Sequence, residues 1–191
     1  MLCEGFRKIF WGLIFVFIEI HIIAIDILPD PVGYFLIYSG MNLVNNHFEV
    51  GSRGNFIALV LVYFSLPTVF LQNTSIEQIS GWFFYLSVMG IFNLVLAFYI
   101  FQIMVLFAAE RKENNLLRRT VTTFRVYMIS MLLITFFEPF AMNKNLTEGT
   151  GYFAFSAAFG LMMNIIFLVL LSKFSKISDN YFEDPSRTKG E

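Results

Sequence analysis

Three carboxylic acids sit inside apolar runs of the chain: Glu19, Asp26 and Glu138. An ionisable group at membrane depth costs about 2.5–3.5 kcal/mol on insertion scales, so each marks a place where a proton or cation could be handled. No Lys or Arg lies well within those runs to pair with them. The acids therefore either carry a proton or meet water, a bound cation or His21. His21 is rotated by about 200° from the Glu19 face on a helix, and as a lone histidine it reads as a packing or hydrogen-bonding residue rather than a metal ligand. Glu19 and Asp26 are seven residues apart, two turns on one face, and Gly12 lies seven residues earlier. The stripe Gly12, Glu19, Asp26 should face other helices. Asn93 and Asn164 fall near the middle of later apolar runs, at a depth similar to Glu19. Two chemistries are open for this set of Glu19, Asp26, Asn93, Glu138 and Asn164. One is a polar cavity linked to protons or cations. The other is hydrogen bonding between helices, worth roughly 0.6 kcal/mol per contact in a bilayer.

Signatures of catalysis do not accompany these residues. The chain contains no H-x-x-x-H, H-E-x-x-H, G-x-S-x-G or P-loop sequence, and so lacks the ligands or nucleophile those chemistries require. The single cysteine, Cys3, excludes an intramolecular disulfide and a cysteine metal cluster. The expectation is a protein that is not an enzyme, with no metal and no cofactor.

Apolar helices must position these groups. Hydrophobic residues make up 57% of the 191 and charged residues 14%. Soluble domains have about 45–50% and about 25%, so the surface here is too apolar for water and suits lipid. The net charge of −1 gives no pointer to nucleic acid. Runs of sufficient length predict spans at Ile9–Leu28, Phe56–Gln72, Gly81–Ala108, Val126–Met142 and Tyr152–Leu171, with a sixth at Val32–Phe48 that is short and crowded with Asn at its end. Charge asymmetry selects six crossings over five. With the N-terminus inside, twelve of the 13 Lys and Arg fall on the inner side and only Lys144 outside. Five crossings would move the cluster from Arg111 to Arg125 outside. The expected fold is all-α, a six-helix transmembrane bundle over residues 1–172, followed by a short flexible cytoplasmic tail over 173–191. Both termini are expected in the cytoplasm and the chain in the cell membrane.

The first hairpin has its own motif. Pro29 and Pro31 lack the N–H needed to continue a helix, and Pro31 suits the first position of the next one. Asp30, just before it, is the natural N-cap. Pro29, Asp30, Pro31, Gly33 and Tyr34 thus form a tight turn at the outer surface. Parts of the pattern recur: Gly33-Tyr34-Phe35, Gly81-Trp82-Phe83 and Gly151-Tyr152-Phe153 open the even helices, followed by Gly40, Gly90 and Gly160 and by Asn42, Asn93 and Asn164. Three related hairpins would give this pattern. So would interfacial aromatics and glycines at helix contacts, without repetition.

The stretch from Ile25 through Asp26, Pro29, Asp30 and Gly33 to Tyr38, with Phe10-Trp11-Gly12-Leu13 before it, resembles small uncharacterised multi-pass membrane proteins of low-GC Gram-positive bacteria. These carry a similar I-D-[IL]-[IL]-P-D-x-[IV]-G-Y motif. Pro31 stands where a bulky residue is usual. The resemblance covers roughly the first forty residues. It implies a membrane location and brings no activity. Two function classes stay open: a small-solute or ion-linked carrier, and a non-catalytic partner or regulatory subunit. The expected partners are membrane lipid and either other membrane proteins or further copies of the chain. A carrier requires Glu19, Asn93 and Asn164 to converge, whereas a partner subunit would expose a packing face of small residues.

Overall fold

The computed structural model describes residues 2–21, 30–45, 52–67, 82–142 and 146–183. Six helices run through them, with no strand among the described residues: α1 Leu2–His21, α2 Asp30–Asn45, α3 Ser52–Phe64, α4 Trp82–Glu110, α5 Asn114–Met142 and α6 Leu146–Glu183. Three of them contain stretches long and apolar enough to cross a membrane: Phe84–Glu110, Asn114–Glu138 and Gly151–Lys176. The described parts of the other three fall short, each for its own reason. α1 carries Glu4, Arg7, Lys8 and Glu19 in its 20 residues. α2 has 16 residues and α3 has 13, below the range of roughly 17–25 needed to span hydrocarbon.

Each helix packs against the next, and α6 closes back on α1. α4 occupies the centre. Half of its apolar stretch is buried, against 11% for α5 and 28% for α6. Rings and hydrogen bonds from its neighbours converge on it. Phe167 of α6 stacks on Phe101 at 4.4 Å between centroids, and Tyr127 of α5 meets the same ring at 5.5 Å. Phe6 of α1, Phe107 of α4 and Phe174 of α6 form a triangle with centroids 5.3–5.8 Å apart. This triangle places the start of α1 beside the ends of α4 and α6, as alternating up-and-down helices require.

The tightest contact joins α1 to α2. A Cβ built on Gly12 would lie 2.6 Å from the carbonyl oxygen of Gly33, and one on Gly40 would lie 2.6 Å from that of Gly5. The reciprocal positions, Gly33 and Gly5, meet Gly12 and Gly40 at 2.9 Å. Both pairs sit at seven-residue spacing, which keeps one face in register along a left-handed crossing. Backbone touches backbone, and only glycine leaves room for that approach.

Helix boundaries exceed the apolar runs. α5 begins at Asn114 rather than Val126 and takes Arg118 and Arg119 into its second turn and Arg125 into its fourth. Leu, Arg and Thr there can extend a helix whether or not lipid surrounds them, so the apolar run marks only part of the element. α6 continues past the expected boundary at Lys173 to Glu183. Phe174 is fully buried in the ring triangle, and that packing carries the helix beyond its last apolar run. Between α4 and α5 the chain reverses at Lys112, which adopts φ 53° while its N–H bonds to the carbonyl of Ala109 at 3.1 Å. That is a left-handed helix cap of the kind glycine usually fills.

The two ends of the bundle differ in chemistry. Apart from Arg125, which stands near the middle of the Asn114–Glu138 stretch, the described Lys and Arg lie toward the end where α1 and α3 begin, from Arg7 and Arg53 to Arg111, Arg119 and Lys176. The opposite part of the surface exposes aromatic rings, among them Phe64, Phe84, Phe136, Phe140 and Phe155. The apolar faces of α5 and α6 between the ends are also exposed, at Leu132, Leu133, Ile165 and Val169. So much contiguous apolar surface is far more than a soluble monomer presents.

Candidate functional site

The polar groups within the bundle gather in two seams on different sides of α4. In the first, between α2 and α4, the hydroxyl of Tyr34 donates to Asn93 Oδ1 at 2.8 Å. Asp30, one turn before Tyr34, lies within electrostatic reach of Tyr85 on α4. Tyr85 in turn donates its hydroxyl to the carbonyl of Phe64, where α3 ends. This seam ties three helices together on the side away from the basic end.

The second seam lies between α5 and α6. There the Tyr127 hydroxyl donates to Asn164 Oδ1 at 3.0 Å. Tyr127 is 3% exposed and Asn164 6%, so neither reaches water. Nearer the aromatic end, Tyr152 donates to the carbonyl of Ile134 at 2.9 Å. Glu138, one turn beyond Ile134, lies within electrostatic reach of Tyr152. Phenol and carboxamide are both neutral near pH 7. Two Tyr–Asn pairs can therefore join helices, but they cannot take up and release a proton.

The expected residues are thus dispersed. Asn93 and Asn164 hold different tyrosines in different seams. Ring contacts set α6 against α4 with an offset of 66–67 residues, so Asn164 is level with position 97 or 98 of α4. That is about 6–7 Å deeper than Asn93 at 1.5 Å per residue. Glu138 stands at the end of the second seam. Asp30, Pro31, Gly33 and Tyr34 form the first turns of α2, where Gly33 serves the contact with Gly12. The backbone at Glu19 belongs to α1, two residues before its last described residue. The glycine register makes residue 15 level with Asp30, which puts Glu19 about 6 Å beyond the start of α2. Asp26 and Pro29 lie outside the described residues, as does Lys144. No group of three His, Cys, Asp or Glu that could hold a metal occurs among the described residues.

The repeated positions also do different work. Gly40 is locked against α1, while a Cβ on Gly90, Gly151 or Gly160 would meet nothing within 4 Å. Asn42 accepts from Asn55 of α3 at 3.4 Å, whereas Asn93 and Asn164 accept from tyrosines. The partners Tyr85 and Tyr127 are not legible from the sequence, because a tyrosine within an apolar helix looks like any other packing ring. The seven-residue spacings Gly5–Gly12 and Gly33–Gly40 are visible in the sequence, and the pairing between them is visible only in the fold.

What fold and seams together define is an all-helical protein with helices apolar enough to cross a membrane, held together internally by tyrosine, asparagine and glycine. No protein-family model, curated protein or solved structure matches the chain.

Proposed function

We propose that the chain is a multi-pass cell-membrane protein with six crossings and both termini in the cytoplasm. The gathering of the described Lys and Arg other than Arg125 toward one end supports this, since cytoplasmic loops carry the basic residues. The aromatic rings exposed toward the other end fit an outer interface. The resemblance at the first hairpin points to the same location. Single cysteines in a Cys3→Ser background test the topology with an impermeant thiol reagent. Cysteines at positions 76 and 144 are expected to react from outside and a cysteine at 113 only after permeabilisation. Reaction of position 113 in intact cells would remove the six-crossing topology.

Within that topology we infer a non-catalytic role, binding other membrane proteins through helix faces. One observation carries this choice over a carrier: Asn93 and Asn164 are each engaged by a tyrosine in separate seams, so they do not line one path. Alternating access around a midplane site requires such convergence. The exposed side of α6 adds support, because Gly151, Ala154, Ala157 and Ala158 stand where lipid-facing helices usually carry bulkier residues. The Ala154–Ala158 spacing is the small-x-x-x-small pattern of close helix contact. A photo-reactive side chain at 154 should yield a protein adduct of defined mass in cells, and one at 133 should yield lipid adducts only. Purified protein in liposomes should dissipate imposed proton or sodium gradients no faster than empty vesicles. Gradient-driven flux that Glu19→Gln abolishes would replace this role with the carrier.

A further inference from the structure

A groove of about 360 Å³ opens between α3 and α4, lined by Ser52, Arg53, Phe56, Ile57 and Tyr99. Its volume is in the range of small-molecule sites. Its walls are ordered. Ser52 and Arg53 begin α3, and Phe56 and Ile57 lie one turn farther along. Ser52, Arg53 and Phe56 are exposed. Arg53, Ser52 and the hydroxyl of Tyr99 have no hydrogen-bond or ion-pair partner among the described residues. By contrast Lys8, at the same end, is paired with Glu4 at 3.2 Å and bonded to Ser39, and Arg111 lies over the Phe107 ring. The groove is therefore lined by an unneutralised Arg53, by the hydroxyl-bearing residues Ser52 and Tyr99, and by Phe56 and Ile57 one turn farther along α3.

We propose that this groove binds one anionic phospholipid. Its phosphate pairs with Arg53 and takes hydrogen bonds from Ser52 and Tyr99, and an acyl chain lies along Phe56 and Ile57. A guanidinium matches phosphate with two parallel hydrogen bonds. The positive end of the α3 dipole lies at the same mouth. A phospholipid carries its groups in the same order as the groove, phosphate first and hydrocarbon one helical turn deeper. Arg53 also lies toward the basic end, where the headgroups of one leaflet belong. In the six-crossing topology that leaflet is the cytoplasmic one, so the proposal rests on that topology.

Native mass spectrometry of the full chain released from nanodiscs tests it. With phosphatidylglycerol in the disc, the wild type should retain one tightly held lipid through delipidation. With phosphatidylcholine alone it should retain none. Arg53→Gln should lower the retained fraction by about five- to tenfold, the effect of one charge at a phosphate. Phe56→Ala should lower it too, while Lys176→Gln, at the same end but outside the groove, should leave it unchanged. Both side chains at 53 and 176 are exposed, so neither change threatens folding. Equal losses from Arg53→Gln and Lys176→Gln would mean diffuse surface charge and overturn the site. So would retention that Arg53→Gln does not alter. Competition by inorganic phosphate at equal potency would assign the groove to a free phosphate and overturn the lipid. A cysteine at position 52 separates the two levels of inference. Labelling from outside sinks the topology, whereas labelling from inside with unaltered lipid retention sinks the lipid site alone.

Discussion

Gly12→Ala is expected to destabilise the protein by about 1–3 kcal/mol, and Gly12→Leu to prevent the first hairpin from forming. Two opposing effects set the sign. Alanine has the better helix propensity by about 0.8–1 kcal/mol, so in open space the change would be favourable. At Gly12 the new Cβ would meet the Gly33 oxygen at 2.6 Å and the Ile37 nitrogen at 2.9 Å. Both are backbone atoms, which cannot swing aside as the end of a side chain can. Relief requires moving α1 away from α2, and that also separates Gly5 from Gly40 one heptad along. The clash therefore outweighs the propensity gain. Gly40→Ala should behave alike, since its Cβ would meet the Gly5 oxygen at the same 2.6 Å. Gly90→Ala is the internal control. Nothing lies within 4 Å of its Cβ, so propensity acts alone and stability should hold or rise. Unfolding in mixed micelles, followed by retention of folded protein against denaturing detergent, provides the measurement. Equal tolerance of alanine at 12 and 90 would show that the two helices do not touch through their backbones.

The contact between α1 and α2 was legible in part. Gly12 falls on an inward stripe because Glu19 and Asp26 follow it at intervals of seven. The same interval continues backward to Gly5 and recurs in Gly33 and Gly40. The heptad was therefore visible, but the partner was not. Periodicity tells which side of a helix faces protein, and it says nothing of register between two helices. Register is what moves Glu19 from the middle of an apolar run to a level beyond the start of α2. Helix ends suffered for a related reason. Hydropathy reads the solvent along a helix and not its hydrogen bonding, so α5 and α6 extend well past their apolar runs. The grouping of most described Lys and Arg toward one end follows from the alternation of the helices, which leaves little choice in which loops share a side.

The polar set was legible as residues and not as an arrangement. Asn93 and Asn164 announce themselves because an amide in an apolar helix needs a partner. Their partners are tyrosines, and 25 Phe and eight Tyr compete for the same packing positions. Only the fold separates Tyr127, which is buried and bonded to Asn164, from Tyr63, which is exposed. In the sequence Arg53 is one of 13 Lys and Arg with nothing to set it apart. What distinguishes it is local: Arg7, Arg119 and Arg53 are all exposed, but only Arg53 lines the groove against Tyr99.

Breaking the Tyr127–Asn164 pair should show coupling that a hydrated polar path would not. Both groups are almost wholly buried, and the rings of Phe101 and Phe167 pack against Tyr127 at 5.5 and 5.3 Å. Tyr127→Phe removes the donor and keeps the ring, so Asn164 Oδ1 loses its hydroxyl. Asn164→Leu removes the acceptor at similar volume, so the hydroxyl is left in an apolar seam. An orphaned buried group costs about 1–3 kcal/mol in water-soluble proteins. In a bilayer the unfolded helices also find partners, and measured couplings average about 0.6 with a maximum near 1.7 kcal/mol. The single variants should each lose about 1 kcal/mol or more, while the double variant should lose clearly less than their sum, since it leaves no orphan behind. Tyr34→Phe with Asn93→Leu forms a second cycle, expected to show weaker coupling because that pair is only part-buried. The sign separates the two roles of the asparagines. If Asn164 faced water, each single change would be near neutral and the double change additive. Additivity within about 0.3 kcal/mol in the Tyr127–Asn164 cycle would return the asparagine to the polar path and revive the carrier.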